Sequence, residues 1–187
     1  MSKRRRLNRE TVVQQAAAMA DESGSVAAVR LSALARALHV QPPSLYNHVD
    51  GLEDLRYGLA VYAVEQLLAT LRQVSQGLVG QEALMAIAVA YRQFAHSHPG
   101  LYPLTIRAPE PEQVALVALS QELLQLLLLL MASLGLQGDD ALHAIRGMRA
   151  ILHGFVSLEA AGGFKMDLDR EDSFRRLVAG YLATLSG

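Results

Sequence analysis

Leu52, Leu55, Leu59, Tyr62, Ala63, Leu67, Leu71 and Val74 recur every three or four residues along a stretch that contains no proline. An α-helix puts that spacing on one face, whereas a strand would need a period of two. Such a helix buries nothing by itself, so the rest of the chain must cover it. The other segments also read as helices. Asn8 can cap a first one, with Val12, Val13, Ala16, Ala17 and Ala20 as its stripe and Ser23-Gly24 as its stop. Leu31, Leu34, Ala35 and Leu38 share a face of a short second helix. Pro42 or Pro43 opens a third, about two turns long, at the first helical position, where a missing N–H costs nothing. Asp50 and Glu53 have capping-box spacing at the head of the long fourth helix, and Gly77 and Gly80 end it. A fifth spans about 81–97 and breaks at His98-Pro99-Gly100. Residues 101–107 form a short sixth helix or turn, Pro109 and Pro111 bracket a loop, and a leucine-rich seventh helix runs to Leu136. Asp139 caps an eighth that Gly162-Gly163 terminates, and a ninth begins near Glu171. There is no strand alternation and no internal repeat. The expected fold is therefore all-α with nine helices, divided into domains 1–50 and 51–187 at the head of the long fourth helix.

Charge separates the same two regions. Residues 1–50 carry seven Lys/Arg against four Asp/Glu, a net +3, and residues 51–187 carry ten against fourteen, a net −4. Five of the seven early cations lie in residues 1–9, where there is no acid. A basic end on an acidic body suggests a polyanionic partner for that end. The chain has no cysteine, which excludes disulfides and thiolate metal sites. No apolar run follows Lys3, Arg4, Arg5 and Arg6, so no secretory signal is expected. The longest apolar run, Leu126 to Leu136, falls short of the roughly 20 residues a membrane span needs, and Gln121, Glu122 and Gln125 interrupt its approach. It reads as a buried helix of a cytoplasmic protein with no membrane contact.

Polar groups gather in one place, HVQPPSLYNHVD, residues 39–50. Helices two and three flank the turn His39-Val40-Gln41-Pro42, and Ala35, Val40 and Leu45 are the apolar residues that would lock them together. A helix as short as the third is unstable alone and must be braced from behind. Its outer face is then free to present Ser44, Asn47 and His48, with Tyr46 beside them. Ser and Asn can pair with base edges, and Tyr and His with phosphate oxygens. That makes a recognition helix for a major groove, against the simpler reading of a helical corner whose polar residues face water.

The stretch LSALARALHVQPPSLYNHVDGLEDL resembles the DNA-binding helix-turn-helix of the TetR family of bacterial one-component regulators, most closely over Pro43 to Val49. The specific motif covers residues 8 to about 60, and the nine-helix count extends the likeness loosely to the rest. AYRQFAHSHPGLYPL and LHGFVSLEAAGGF are similar to the C-terminal type named for a Trp-His-Gly triplet, which here reads Leu152-His153-Gly154. The resemblance implies a homodimer that binds a palindromic double-stranded operator and releases it when a small-molecule effector fills the C-terminal domain. It makes Gln41, Pro43, Ser44, Tyr46, Asn47 and His48 DNA contacts and places Arg30 near a phosphate. Two departures stand out. Arg30 occupies a position where the family often has a Ser or Thr cap, so the cap must come from elsewhere or Ser32 must shift the start. Leu52, beside Asp50 and Glu53, replaces a common phosphate-binding Lys. Lys3, Arg4, Arg5, Arg6 and Arg9 could compensate as an arm reaching phosphates or the minor groove.

The C-terminal half offers weaker signals. No phosphate loop, nucleophile elbow or zinc-protease motif occurs, and neither a metal site nor a cofactor is expected. His96 and His98, two apart at a helix end, favour solvated histidines over a metal pair. Phe94, Tyr102, Ile106, Leu127 and Met131 are candidates for an effector pocket or for plain core. Arg149 and His153, one turn apart in an apolar helix, are candidates for orienting a polar ligand or for a surface or dimer rim. Gly147, Ala150, Gly154, Ser157 and Ala161 form a small-residue stripe spaced 3, 4, 3, 4. Such a stripe fits a close approach, either to another helix of the chain or to a symmetry mate. In the second case Phe174, Leu177, Val178 and Tyr181 of the last helix would complete a four-helix seam. The function expected is a ligand-responsive transcriptional repressor. Its rivals are a small helical enzyme around Arg149, His153 and His143, and a helical interaction adaptor.

Overall fold

The computed structural model describes residues 7–185 and is all-α, with no strand among them. Eight α-helices run in order: α1 Arg9–Ser23, α2 Leu31–Ala37, α3 Pro42–Leu45, α4 Leu52–Ser75, α5 Gly80–Ser97, α6 Val114–Ala132, α7 Gly138–Ala160 and α8 Arg170–Ala183. Three-residue and four-residue 3₁₀ turns occupy Val26–Ala28 and Tyr102–Thr105. The expected sixth helix is that second turn, which accounts for eight α-helices in place of nine. Pro103 within it and Pro109 beyond it leave too little chain for α-helical pairing. The basic cluster Lys3, Arg4, Arg5 and Arg6 lies outside the described residues.

Local chemistry explains the ends. Asn8 caps α1 reciprocally with Thr11: the Asn8 Oδ1 accepts from the Thr11 amide at 2.8 Å, and the Asn8 amide donates to the Thr11 hydroxyl at 3.0 Å. Gly24, at φ 69°, closes the helix in the left-handed conformation that glycine tolerates. The box expected between Asp50 and Glu53 does not form: the Asp50 amide donates instead to Asp54 Oδ2 at 3.0 Å, and Glu53 pairs with Arg56 at 2.5 Å. α7 opens at Gly138, behind Gln137, with Asp139 in its first turn and not at its cap.

The chain forms two compact units. The first is residues 1–66 with 97–117, and the second is 67–96 with 118–187. The first therefore runs past residue 50, because the start of α4 supplies core that α1 to α3 cannot make among themselves. Val12, Ala16 and Ala20 of α1, Leu34 and Ala35 of α2, Leu45 and Val49 after it, and Leu55, Leu59 and Ala63 of α4 are buried in one cluster with Leu101. Segment 97–117 belongs to it through Asp21, whose carboxylate accepts from His98 Nδ1 at 2.7 Å and from the Gly100 and Leu101 amides at 3.1 Å each. Gly100 allows that approach, since a Cβ there would stand 2.1 Å from the Ala20 carbonyl oxygen.

The second unit buries Leu84, Ile87 and Ala88 of α5, Met131 of α6, Met148, Leu152 and Phe155 of α7, and Phe174, Val178 and Leu182 of α8. α6 departs from expectation. It is apolar enough, and long enough at 19 residues, to pass a length-and-composition test for crossing a membrane, yet only 17% of that window is buried. It is not the buried helix its leucines suggest, and Leu129 and Val114 are 70% and 74% exposed.

Candidate nucleic-acid interface

The segment after α2 reverses sharply. The Val40 amide donates to the Ala35 carbonyl at 3.0 Å, and the His39 amide to that of Arg36 at 3.1 Å. His39 takes φ 56°, the one non-glycine residue in the left-handed region among the described residues. α3 then begins at Pro42, whose fixed φ suits a first helical position. It lasts four residues, shorter than the two turns expected, and Tyr46 caps its end. Asn47 and His48 lie past it in a turn closed by the His48 and Val49 amides, which donate to the Leu45 carbonyl at 2.8 and 3.0 Å. Leu45 and Val49 are buried beneath the turn. Gln41, Pro43, Tyr46 and Asn47 are exposed above it, and Ser44 and His48 are half-buried. One short, proline-headed platform thus carries all six expected base- or phosphate-facing residues, with its apolar residues pointing back into the core.

Arg30 is exposed at the N-cap of α2 and makes no side-chain cap bond. Its guanidinium folds back on the Ala27 and Val29 carbonyls, and because α2 begins at Leu31 the expected shift of its start to a Ser32 cap does not occur. Leu52 is half-buried and packs against the first unit's core, so an apolar contact stands where the family often has a cation. Arg9 corrects the expectation that it joins a phosphate-seeking arm. Its Nη1 and Nη2 grip the two Asp54 oxygens at 2.5 and 2.7 Å, and Nη1 also donates to the His48 carbonyl at 3.1 Å. The pair raises the Arg9 pKa and lowers that of Asp54, in each case first through their mutual hydrogen bond.

The other candidates separate. Met131, Phe94 and Tyr102 are buried core, with Met131 fully enclosed, while Ile106 and Leu127 are half-buried. Tyr102 and Ile106 fall in the first compact unit and the other five in the second. Arg149 is exposed, and the His153 ring lies 3.4 Å from the Ser157 hydroxyl. The stripe on α7 is not uniform. Gly147 lies against the chain's own Tyr181, whose hydroxyl would be 2.2 Å from an added Cβ and donates to the Ala144 carbonyl at 2.7 Å. Gly154 has nothing within 4 Å of that position. Ala150 and Ala161 are exposed and Ser157 is half-buried. On α8, Leu177 is exposed, but Phe174 and Val178 are fully buried in their own chain. A partner subunit cannot reach them, so the expected seam is corrected at those two positions.

A polar cluster in the second unit escaped sequence reasoning. Arg92 donates to both Glu159 oxygens at 2.8 and 2.9 Å and also bonds Glu171, and its guanidinium lies 5.6 and 5.1 Å from the ring centres of Phe155 and Phe174. His96 Nε2 reaches the same Glu159 carboxylate at 2.7 Å. Arg92 chiefly, with help from His96, holds the Glu159 pKa down to about 2 against the cost of burial. A cleft of about 310 Å³ opens beside it, lined by Val89, Arg92, Gln93, His96 and Glu171, none of them among the expected pocket residues. A glutamate three residues after the buried Val156 was the available signal, since a lone acid on a buried face requires a cation. His96 and His98 each bind a carboxylate, and no group able to hold a metal occurs among the described residues.

The chain is similar to known proteins over most of its length. Residues 84–181 match the family model described as the tetracycline repressor-like C-terminal domain. The chain is 35% identical over 183 residues to the uncharacterized HTH-type transcriptional regulator Rv0681 of Mycobacterium tuberculosis, covering 94% of this chain and 82% of that one. It is 33% identical over 186 residues to the uncharacterized HTH-type transcriptional regulator YobS of Bacillus subtilis, covering 99% and 96%. Among solved structures, a protein of unknown function from Rhodococcus sp. RHA1 superposes with a TM-score of 0.78 at 22% identity over 96% of this chain and 95% of that one, which shows the shared fold.

Proposed function

Because the chain belongs to the TetR family of helix-turn-helix transcriptional regulators, and not to a family of enzymes, we propose that residues 41–48 dock in the major groove of a palindromic operator. The observation that carries this reading is the platform itself: Gln41, Pro43, Tyr46 and Asn47 stand exposed on a turn whose Leu45 and Val49 are buried. A solvated corner needs no such bracing, whereas a groove-reading element must hold its polar face at a fixed angle. In this reading the DNA-contacting residues all precede residue 50, and Arg30 and the cations at positions 3–6 supply the salt-dependent phosphate contacts.

The working unit is a homodimer acting in the cytoplasm, with two platforms roughly 34–36 Å apart, one turn of duplex. The exposed Ala150 and Ala161 and the half-buried Gly154 and Ser157 of the α7 stripe, with Leu177 of α8, supply the seam. A small-molecule effector in the C-terminal region shifts the dimer to a state with a different spacing, which lowers operator affinity and makes the protein a repressor. The half-buried Leu127 and, in the same compact unit, Arg149 and His153 are the residues proposed for effector contact.

Gel retardation against genomic fragments, with heparin as competitor, tests the core of this. Tyr46→Ala is expected to weaken the selective shift about tenfold or more, on the scale of a lost specific contact, while Arg149→Ala leaves it intact. Equal retardation of all fragments, or an unchanged shift in Tyr46→Ala, removes α3 and its turn from DNA recognition.

A further inference from the structure

The guanidinium of Arg9 touches three pieces of chain that are far apart in sequence. It begins α1, it grips Asp54 in the first turn of α4 through both oxygens, and it donates to the backbone carbonyl of His48 at the end of the polar turn. Asp54 in turn accepts from the Asp50 amide at 3.0 Å, so the two side chains hold the backbone on both sides of Val49. Gly58, one turn further along α4, is not what admits the fork: an added Cβ would meet Arg9 Nη2 at an ordinary contact distance of 3.5 Å, and only Val13, at 3.0 Å, would be crowded. The planar guanidinium matches both carboxylate oxygens side by side while still reaching the carbonyl, a geometry that lysine's compact, rotating ammonium does not reproduce.

We propose that Arg9 and Asp54 are positioning residues for DNA recognition, fixing the angle at which Tyr46, Asn47 and His48 are offered to the groove. The proposal rests on the reading of residues 41–48 as the DNA-contacting platform. It gives Arg9 a role opposite to the one its place in a basic N-terminus suggests. A phosphate contact would be free to leave the protein surface, whereas this cation is committed to a carboxylate and to the turn's backbone. It also gives an acid near a polyanion a positive part in binding, since without Asp54 the fork has nothing to anchor it.

The sign of the Asp54 effect decides the matter. The probes are the duplex that the wild-type full-length chain enriches from a randomised pool and poly(dI-dC) as non-specific DNA. Asp54→Asn removes a negative charge, so pure electrostatics predicts tighter binding to both. The clamp predicts about tenfold or weaker binding to the enriched duplex, with non-specific binding unchanged or slightly tighter. Arg9→Gln should match it, keep the wild-type slope of log affinity against log salt, and add little to Asp54→Asn in the double variant. Amide hydrogen exchange at Val49 and Asp50, measured without DNA, should quicken in both variants while the melting temperature stays within a few degrees. A slope shallower by about 0.9 in Arg9→Gln, the signature of one lost phosphate contact, or tighter enriched-duplex binding by Asp54→Asn, overturns the proposal. Enrichment of no duplex by the wild type defeats the DNA reading instead, and the exchange measurement then still decides whether the clamp holds the turn.

Discussion

An arginine clasped by a carboxylate sits in each compact unit, and the two clasps differ in how much water reaches them. The side chains of Arg92 and Glu159 are 14% and 4% exposed, and two phenylalanine rings line the guanidinium. Those of Arg9 and Asp54 are 45% and 26% exposed, and what lies beside them is backbone. The same pair of functional groups therefore does two jobs. Where little water reaches the pair, each charge depends largely on the other for its solvation, and the pair is costly to break whatever it contributes while intact. Where water reaches it, the pair adds little energy, and its value lies in the direction it imposes on the chain around it.

The largest effect expected from this contrast is at Arg92. Arg92→Ala leaves the Glu159 carboxylate buried with His96 as its remaining partner, and should destabilise the fold by about 3–5 kcal/mol in urea unfolding. Replacing both partners with apolar residues of similar volume, Arg92→Met with Glu159→Leu, should recover most of that loss, because no unpaired charge remains. If the single variant costs no more than an exposed pair does, the distinction between the two clasps fails.

Acid should reach the buried clasp next. The Glu159 carboxyl titrates near 2 in the folded chain and near 4.5 when free, so its folded-state value is depressed. A depressed carboxyl contributes stability that is complete above its unfolded value and is lost as pH falls through the folded one. Between about pH 4.5 and 2 the chain should lose on the order of 3 kcal/mol through this group. Glu159→Gln should flatten that part of the stability–pH curve. Asp54, also depressed but more exposed, should add a smaller slope of the same sign. A curve for Glu159→Gln as steep as the wild type's would assign the acid sensitivity elsewhere.

How much of this the sequence disclosed follows the same line between local and distant causes. Some helix limits were legible because caps and breakers act within a few residues: Asn8 and Gly24 sit where they should and Pro42 opens α3, whereas Asp50 and Asp139 do not take the cap roles their spacing suggested. The exposed polar turn at residues 41–48 was legible because its residues are contiguous. The clasps were not, because Arg9 meets Asp54 across 45 residues and Arg92 meets Glu159 across 67. Periodicity assigned Phe174 and Val178 to the right face but could not say whether that face met the same chain or another. The leucines of α6 misled for a related reason, since composition measures how apolar a helix is and not whether anything lies against it.

Helix α7 sharpens the comparison, since it carries Glu159 on its buried side and the glycine pair elsewhere. Gly147→Ala must displace the Tyr181 hydroxyl from Ala144, an adjustment inside one chain. Gly154→Ala meets nothing in its own chain and gains up to about 1 kcal/mol of helix propensity. In a dimer seamed at Gly154 the added methyl should cost about 1–3 kcal/mol of association, as overpacking does. Sedimentation equilibrium should then show a raised dimer dissociation constant for Gly154→Ala and an unchanged one for Gly147→Ala. An unaffected dimer whose melting temperature rises by a few degrees places the seam elsewhere.

The smallest expected change in stability is at Arg9, and it tests the contrast from its other side. Arg9→Ala removes an ion pair that water already screens, so the folded chain should lose about 1 kcal/mol or less. Raising the salt concentration should narrow the difference between wild type and variant, because the screening acts on the wild type alone. The buried clasp should show no such narrowing, because salt does not enter between Arg92 and Glu159. A loss of 3 kcal/mol or more in Arg9→Ala, insensitive to salt, would make the exposed clasp a second structural anchor. The turn it holds would then be fixed as a by-product of stability, and orientation of the platform would need another source among Leu45, Val49 and the core beneath them.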